Sequence, residues 1–138
     1  MILLDTSGLL AAIDAGQRAH GEAAASLQAA RPPMLISPFV LAELDYLLAT
    51  RVGEAARASL LEEVHRGAYV LEPMTGADVG RALTIVKRHA DLGISLADAS
   101  IVVLAERHRV RDVLTLDERH FRVLQADGKP FRLLPADA

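Results

Sequence analysis

Cysteine and tryptophan are absent from the sequence, and aromatic residues make up only 4% of it. Without cysteine there is no disulfide scaffold and no thiolate zinc site, and a reducing compartment suits the chain, so a cytoplasmic location is expected. No apolar run approaches membrane-spanning length. The opening stretch MILLDTSGLLAAI has no basic lead and carries Asp5, so it is not read as a signal peptide. Lysine is scarce: 13 of the 15 basic residues are arginine, leaving only Lys87 and Lys129. That bias favours bidentate contacts to phosphate or carboxylate, although simple compositional preference explains it equally well. With a net charge of −3, the chain is not a generic, charge-driven binder of nucleic acid. A nucleic-acid enzyme is still compatible with that charge, because acids gathered on divalent cations let the metal set the local field. The sequence contains no H-E-x-x-H, no G-x-S-x-G and no Walker-type loop, and no repeat, low-complexity tract or linker.

What is present is a 51% hydrophobic chain of 138 residues, enough to bury about two-thirds of its unfolded surface in one domain spanning 1–138. Ile2-Leu3-Leu4 reads as a central strand with Asp5 at its carboxyl end, and Thr6 or Ser7 is expected to cap the helix that follows. A helix from about His20 to Ala30 stops at Arg31-Pro32-Pro33, and Met34-Leu35-Ile36 is the next strand. Ser37 and Pro38 open PFVLAELDYLLATR, in which Glu43 shares an apolar stripe with Phe39 and Leu47 while Asp45 points away. Further helices cover about 54–66 and, after the capping box Thr75-x-x-Asp78, the stretch through Val86. Tyr69-Val70-Leu71 is a short strand or extended linker. Val113-Leu114 makes a strand closing on Thr115-Leu116-Asp117, and Phe131 to Leu134 a last edge strand. This alternation predicts a mainly parallel sheet of four to five strands with helices on both faces, a three-layer α/β/α sandwich.

Within ISLADASIVVLAE, Asp98 is the anomaly. Ser95 and Asp98 fit a capping box, which alone accounts for the acid. Yet the following IVVLA leaves no polar face, and a carboxylate at the mouth of a buried helix needs a partner. Asp5 and Asp117 fall at strand ends, while Glu43 and Asp98 fall in early turns of helices on the same rim, where such sheets bind ligands. Two carboxylates about 4 Å apart repel by roughly 4 kcal/mol at an effective dielectric near 20. Oxygen-only ligands favour Mg²⁺, with Mn²⁺ as a substitute, and such an ion can activate water for in-line displacement at a phosphate. The reaction class expected is metal-assisted phosphodiester hydrolysis.

MILLDTS with Asp5, SPFVLAEL with Glu43, LADASIVVLAE with Asp98 and LTLDERHF with Asp117 together resemble the PIN-domain ribonucleases, most closely the VapC-like toxins of toxin–antitoxin pairs. The resemblance spans nearly the whole chain. It implies a PIN-like fold and a Mg²⁺-dependent endoribonuclease acting on structured RNA such as tRNA or rRNA, dimeric as a homodimer and silenced by a cognate antitoxin. Asp5, Glu43 and Asp98 match the family's three core acids and Asp117 its fourth, all both catalytic and metal-binding. Ser7 and Thr115 match hydroxyls that hydrogen-bond to the site, although capping and strand-end bonding explain them too.

Lys87, Arg88, Arg107 and Arg119 are candidate phosphate contacts, with Arg109 and Arg111 extending the run, and each taken singly also fits a solvated surface. His120, three residues past Asp117, is a further candidate for a phosphate, while His20, His65, His89 and His108 read as surface or partly packed residues. Leu9, Leu10, Leu44, Leu47 and Leu48 read as core before partner groove. Two other functions are weighed: a non-catalytic PIN-fold module that binds RNA or protein, and a receiver-like phosphoacceptor. The latter lacks both the acidic pair after its first strand and the late lysine.

Overall fold

The computed structural model describes residues 1–138. Strand β1, Ile2–Leu4, is wholly buried and lies at the centre of a five-stranded sheet. Its parallel neighbours are β2 (Met34–Ile36) on one side and β4 (Asp112–Leu114) on the other. Beyond them lie β3 (Val70–Leu71) and β7 (Arg132–Leu134), so the order is β3-β2-β1-β4-β7 and every pairing is parallel. Such strands are buried by helices, which explains why Ile2–Leu4 and Val113–Leu114 read as continuous apolar runs.

The helices are α1 (Thr6–Ile13), α2 (His20–Ala29), α3 (Pro38–Arg51), α4 (Glu54–His65), α5 (Gly76–Arg88), α6 (Leu96–His108) and the single turn α7 (Glu118–Phe121). None is long and apolar enough to cross a membrane. Leu9, Leu10, Leu44 and Leu48 belong to one apolar cluster with the sheet, as expected of core residues, and Leu47 packs against it half-buried. In α6 every residue from Ala97 to Ala105 is buried, which accounts for the missing polar face of IVVLA.

Three helix starts, those of α3, α5 and α6, follow the sequence signals. Ser37 Oγ accepts from the backbone N–H groups of Phe39 and Val40, with Pro38 in the first turn. Thr75 with Asp78, and Ser95 with Asp98, close complete capping boxes. The start of α1 departs from its signal. Neither Thr6 nor Ser7 caps it: Asp5 occupies the N-cap position without a side-chain cap bond, because strand β1 runs directly into the helix. Two small elements were not anticipated: α7, and a hairpin of β5 (Gln125–Ala126) with β6 (Lys129–Pro130). The hairpin turns on Asp127 and Gly128, both at positive φ, the pairing that a two-residue connection requires.

The close approach of α1 to β4 depends on Gly8. A Cβ there would lie 2.3 Å from the Leu114 carbonyl oxygen and 2.7 Å from the Thr115 nitrogen, both backbone atoms that cannot turn aside. Gly8→Ala is therefore expected to destabilise the fold by about 2 kcal/mol or more, read as a lower midpoint of urea unfolding.

Candidate metal centre

At the carboxyl edge of the sheet, a cleft of ≈ 330 Å³ is lined by Asp5, Glu43, Asp98 and Asp117. They come from four separate segments: the end of β1, the second turn of α3, the first turn of α6 and the loop after β4. Helices α3 and α6 are tied together at depth, since Ser37 Oγ and Ser100 Oγ lie 2.7 Å apart and both side chains are buried. Ser100 also donates to the Ala97 carbonyl at 2.6 Å. The cap of α3 is thus anchored to the second turn of α6, which fixes Glu43 relative to Asp98.

Asp5 is the deepest acid, only 4% exposed. Ser7 Oγ donates to its Oδ2 at 2.8 Å and Thr115 Oγ1 to the same atom at 2.6 Å. Both hydroxyls also serve the β4 loop: Ser7 accepts from the Leu116 N–H and Thr115 from the Asp117 N–H. Strand-end bonding and contact with the site thus coexist in each residue. Burial raises Asp5 from the usual 3.8 to about 6, opposed by the two hydroxyls and reinforced by the Asp98 charge. Burial also raises Asp98, offset by its bond from the Ser95 backbone and by His120, with Asp117 pushing it further up. The Ser95 N–H to Asp98 Oδ2 distance is 3.0 Å, so the capping box and the position in the cleft are not alternatives.

Asp117 is held by one residue. Its Oδ1 accepts from the His120 backbone N–H at 3.0 Å, and its Oδ2 lies 2.7 Å from His120 Nδ1. The same Nδ1 is 3.5 Å from Asp98 Oδ2, and Nε2 lies 3.1 Å from the Leu92 carbonyl. Asp98, Asp117 and His120 bring one ligand atom each within 4.8 Å of one another. His120 therefore faces the carboxylates inward, where the sequence suggested an outward approach to phosphate. Glu43 is exposed at the cleft wall, so its apolar neighbours Leu44 and Leu48 face the core while the carboxylate faces the opening.

The basic candidates divide. Lys87, Arg88 and Arg119 are exposed. Arg107 is instead engaged by Asp78, Glu72 and the Pro73 carbonyl, roughly 14 Å along α6 from Asp98. Two cleft residues escaped sequence reasoning, Gln17 and Arg51. Arg51 had a signal: it follows Glu43 and Leu47 at four-residue steps along α3 and so shares their face. Gln17, in the α1–α2 connection, had none.

The donor set fits a hard divalent cation, since the acids are oxygen ligands, two of them buried, with no lysine among them. A family model described as PIN domain matches residues 2–125. The chain belongs to the PIN domain family. This PIN domain is 42% identical to Ribonuclease VapC26 of Mycobacterium tuberculosis (strain ATCC 25618 / H37Rv) over 135 residues, 97% of this chain and 100% of that protein. Among solved structures it resembles M. tuberculosis VapC20, a sarcin–ricin loop cleaving toxin, with TM-score 0.79 and 25% identity over 85% of this chain and 90% of that one. FitAcB from Neisseria gonorrhoeae shares the fold at TM-score 0.53 and 20% identity, covering 79% and 83% of the two chains. The PIN domain is thus VapC-like, with the parallel, helix-flanked sheet expected of that family.

The raised Asp5 has a consequence for stability. Folded Asp5 binds its proton more tightly than the unfolded chain does, so its contribution is fully present below about pH 4 and lost as pH rises through about 6. In EDTA, Asp5→Asn is expected to gain about 2 to 3 kcal/mol relative to the native chain between pH 4 and 7. Urea unfolding at both pH values checks this, and a difference independent of pH counts against it.

Proposed function

We propose that this chain is a metal-dependent endoribonuclease, the toxin of a toxin–antitoxin pair, that hydrolyses phosphodiester bonds of structured RNA such as tRNA or rRNA. The observation that carries the reading is the convergence of Asp5, Glu43, Asp98 and Asp117 on one open cleft. Similarity to a protein named Ribonuclease VapC26 and to a toxin that cleaves the sarcin–ricin loop supports it. The reading covers one domain, residues 1–138, working in the cytoplasm as a homodimer with a cognate antitoxin as its protein partner.

In this reading Asp5, Glu43, Asp98 and Asp117 hold Mg²⁺, or Mn²⁺ in its place. A divalent cation there supplies Lewis acidity for attack of water on the phosphate and stabilises the charge that develops on the leaving oxygen. The protein's own groups set the geometry. Ser7 and Thr115 both hydrogen-bond Oδ2 of Asp5, so neither occupies Oδ1. Glu43, exposed at the wall, is placed to orient the attacking water. Arg51 and Gln17 on the cleft, with the exposed Lys87, Arg88 and Arg119, are the groups for the RNA phosphates. Steering by them is local, because the chain as a whole is acidic. A module that only binds RNA or protein is disfavoured by the same acids. Burying Asp5 and Asp98 raises both carboxyls, a cost that binding alone does not require.

The test is incubation of partner-free protein with total RNA and Mg²⁺ or Mn²⁺, followed by sequencing of fragment ends, with EDTA as a control. Discrete ends are expected and should vanish with the chelator. Asp98→Asn keeps a side chain able to accept from Ser95, so it should fold, yet cleave slower by on the order of 100-fold or more. An unchanged cleavage rate in that variant would remove Asp98 from the site.

A further inference from the structure

We propose that His120 is itself a metal ligand, through Nδ1, so that the centre beside Asp98 and Asp117 is a mixed nitrogen–oxygen site and not the all-oxygen site that its four acids suggest. The inference rests on the metal-dependent reading above and extends it to a residue outside the four acids.

The geometry points there from three directions. Donors at right angles around an ion with bonds near 2.1 Å stand about 3.0 Å apart. His120 Nδ1 is 2.7 Å from Asp117 Oδ2 and 3.5 Å from Asp98 Oδ2, distances that bracket this spacing. The three ligand atoms all lie within 4.8 Å of one another. Second, a carbonyl only accepts, so the Leu92 oxygen 3.1 Å from Nε2 places a hydrogen on that nitrogen. This is how ligating histidines are commonly held: the far N–H is given to a backbone carbonyl, and the near nitrogen is turned toward the metal. Third, the ring has nowhere else to act. It is half-buried, its backbone N–H is fixed on Asp117 Oδ1, and its two ring nitrogens lie against Asp117 Oδ2 and the Leu92 carbonyl.

An imidazole in the ligand set changes metal preference. Magnesium takes oxygen donors, whereas Mn²⁺ and the later divalent metals accept imidazole nitrogen and gain affinity along that series. The chain should therefore bind Mn²⁺ more tightly than Mg²⁺ by about tenfold or more, with His120 as the cause.

The experiment is pulsed EPR on the full-length native chain loaded with Mn²⁺, beside calorimetric titration of Mn²⁺ and Mg²⁺ into the native chain, His120→Ala and His120→Gln. Nitrogen hyperfine coupling is expected in the native chain and not in either variant. Mn²⁺ affinity should fall about 10- to 100-fold in His120→Ala while Mg²⁺ affinity changes much less. His120→Gln, which keeps a hydrogen-bond donor for Asp117 but no imidazole, should not restore the Mn²⁺ preference. Bound Mn²⁺ without nitrogen coupling in the native chain overturns the proposal, as does an equal loss for both metals that Gln repairs, because His120 would then only position Asp117. Should the variants fail to fold, the spectrum of the native chain decides alone. Nitrogen coupling in a protein that cuts no RNA would leave the ligand assignment standing and defeat the ribonuclease reading. RNA cleavage with no nitrogen coupling would do the reverse.

Discussion

A carboxylate at the end of the innermost strand is the constraint to which the surrounding structure responds. Asp5 follows β1 directly, where burial penalises its charge, and neighbouring donors oppose that penalty. Ser7 and Thr115 give it two hydroxyl donors on one oxygen. Gly8 lets α1 lie close enough to β4 for those hydroxyls to meet, with Ser7 Oγ and Thr115 Oγ1 3.2 Å apart. The remaining acids stand around it on a cleft where a cation can join them. Residues that contribute nothing to a generic core thus converge on one atom, Oδ2 of Asp5.

The second organising element is the start of α6. Its N-cap residue Ser95 orders Asp98, its second turn carries Ser100 to the cap of α3, and the loop before it offers the Leu92 carbonyl to His120. One helix terminus therefore sets the relative positions of Glu43, Asp98 and Asp117, although these acids sit on different elements. Because α6 is buried from Ala97 to Ala105, its first turns have little freedom to shift, and the acids inherit that rigidity.

Much of this was legible in the sequence. The parallel strands announced themselves as short apolar runs, the capping boxes fixed the starts of α5 and α6, and the four acids stood out because they fall at strand ends or in early helix turns along one rim, in segments that together resemble the PIN-domain motifs. The start of α1 was misread. A hydroxyl after a strand normally caps, but here the Ser7 side chain is drawn to Asp5 and Leu116, partners far apart in sequence or competing locally. His120 was misdirected for a related reason. Its place next to Arg119 suggested a phosphate contact, whereas its partners Leu92 and Asp98 lie 28 and 22 positions back, and only folding brings them near. The hairpin at 125–130 was signalled by Asp127-Gly128, but its two-residue strands are too short to show any period. Arg107 illustrates the opposite limit, because a run of arginines says nothing about which of them the protein's own carboxylates will claim.

The strand order bears on how the molecule comes into being. β1 is made before its neighbour β4 by more than a hundred residues, and the bond from Thr115 to Asp5 spans 110 positions. Until that late strand arrives, Asp5 lacks one hydroxyl, one flank of the sheet and Asp117 altogether. The centre thus cannot exist before β4 and the loop after it are made, however much of the helical layer has already formed around β1 and β2. In this architecture a chain interrupted before β4 carries Asp5, Glu43 and Asp98 without the arrangement that gives them chemistry.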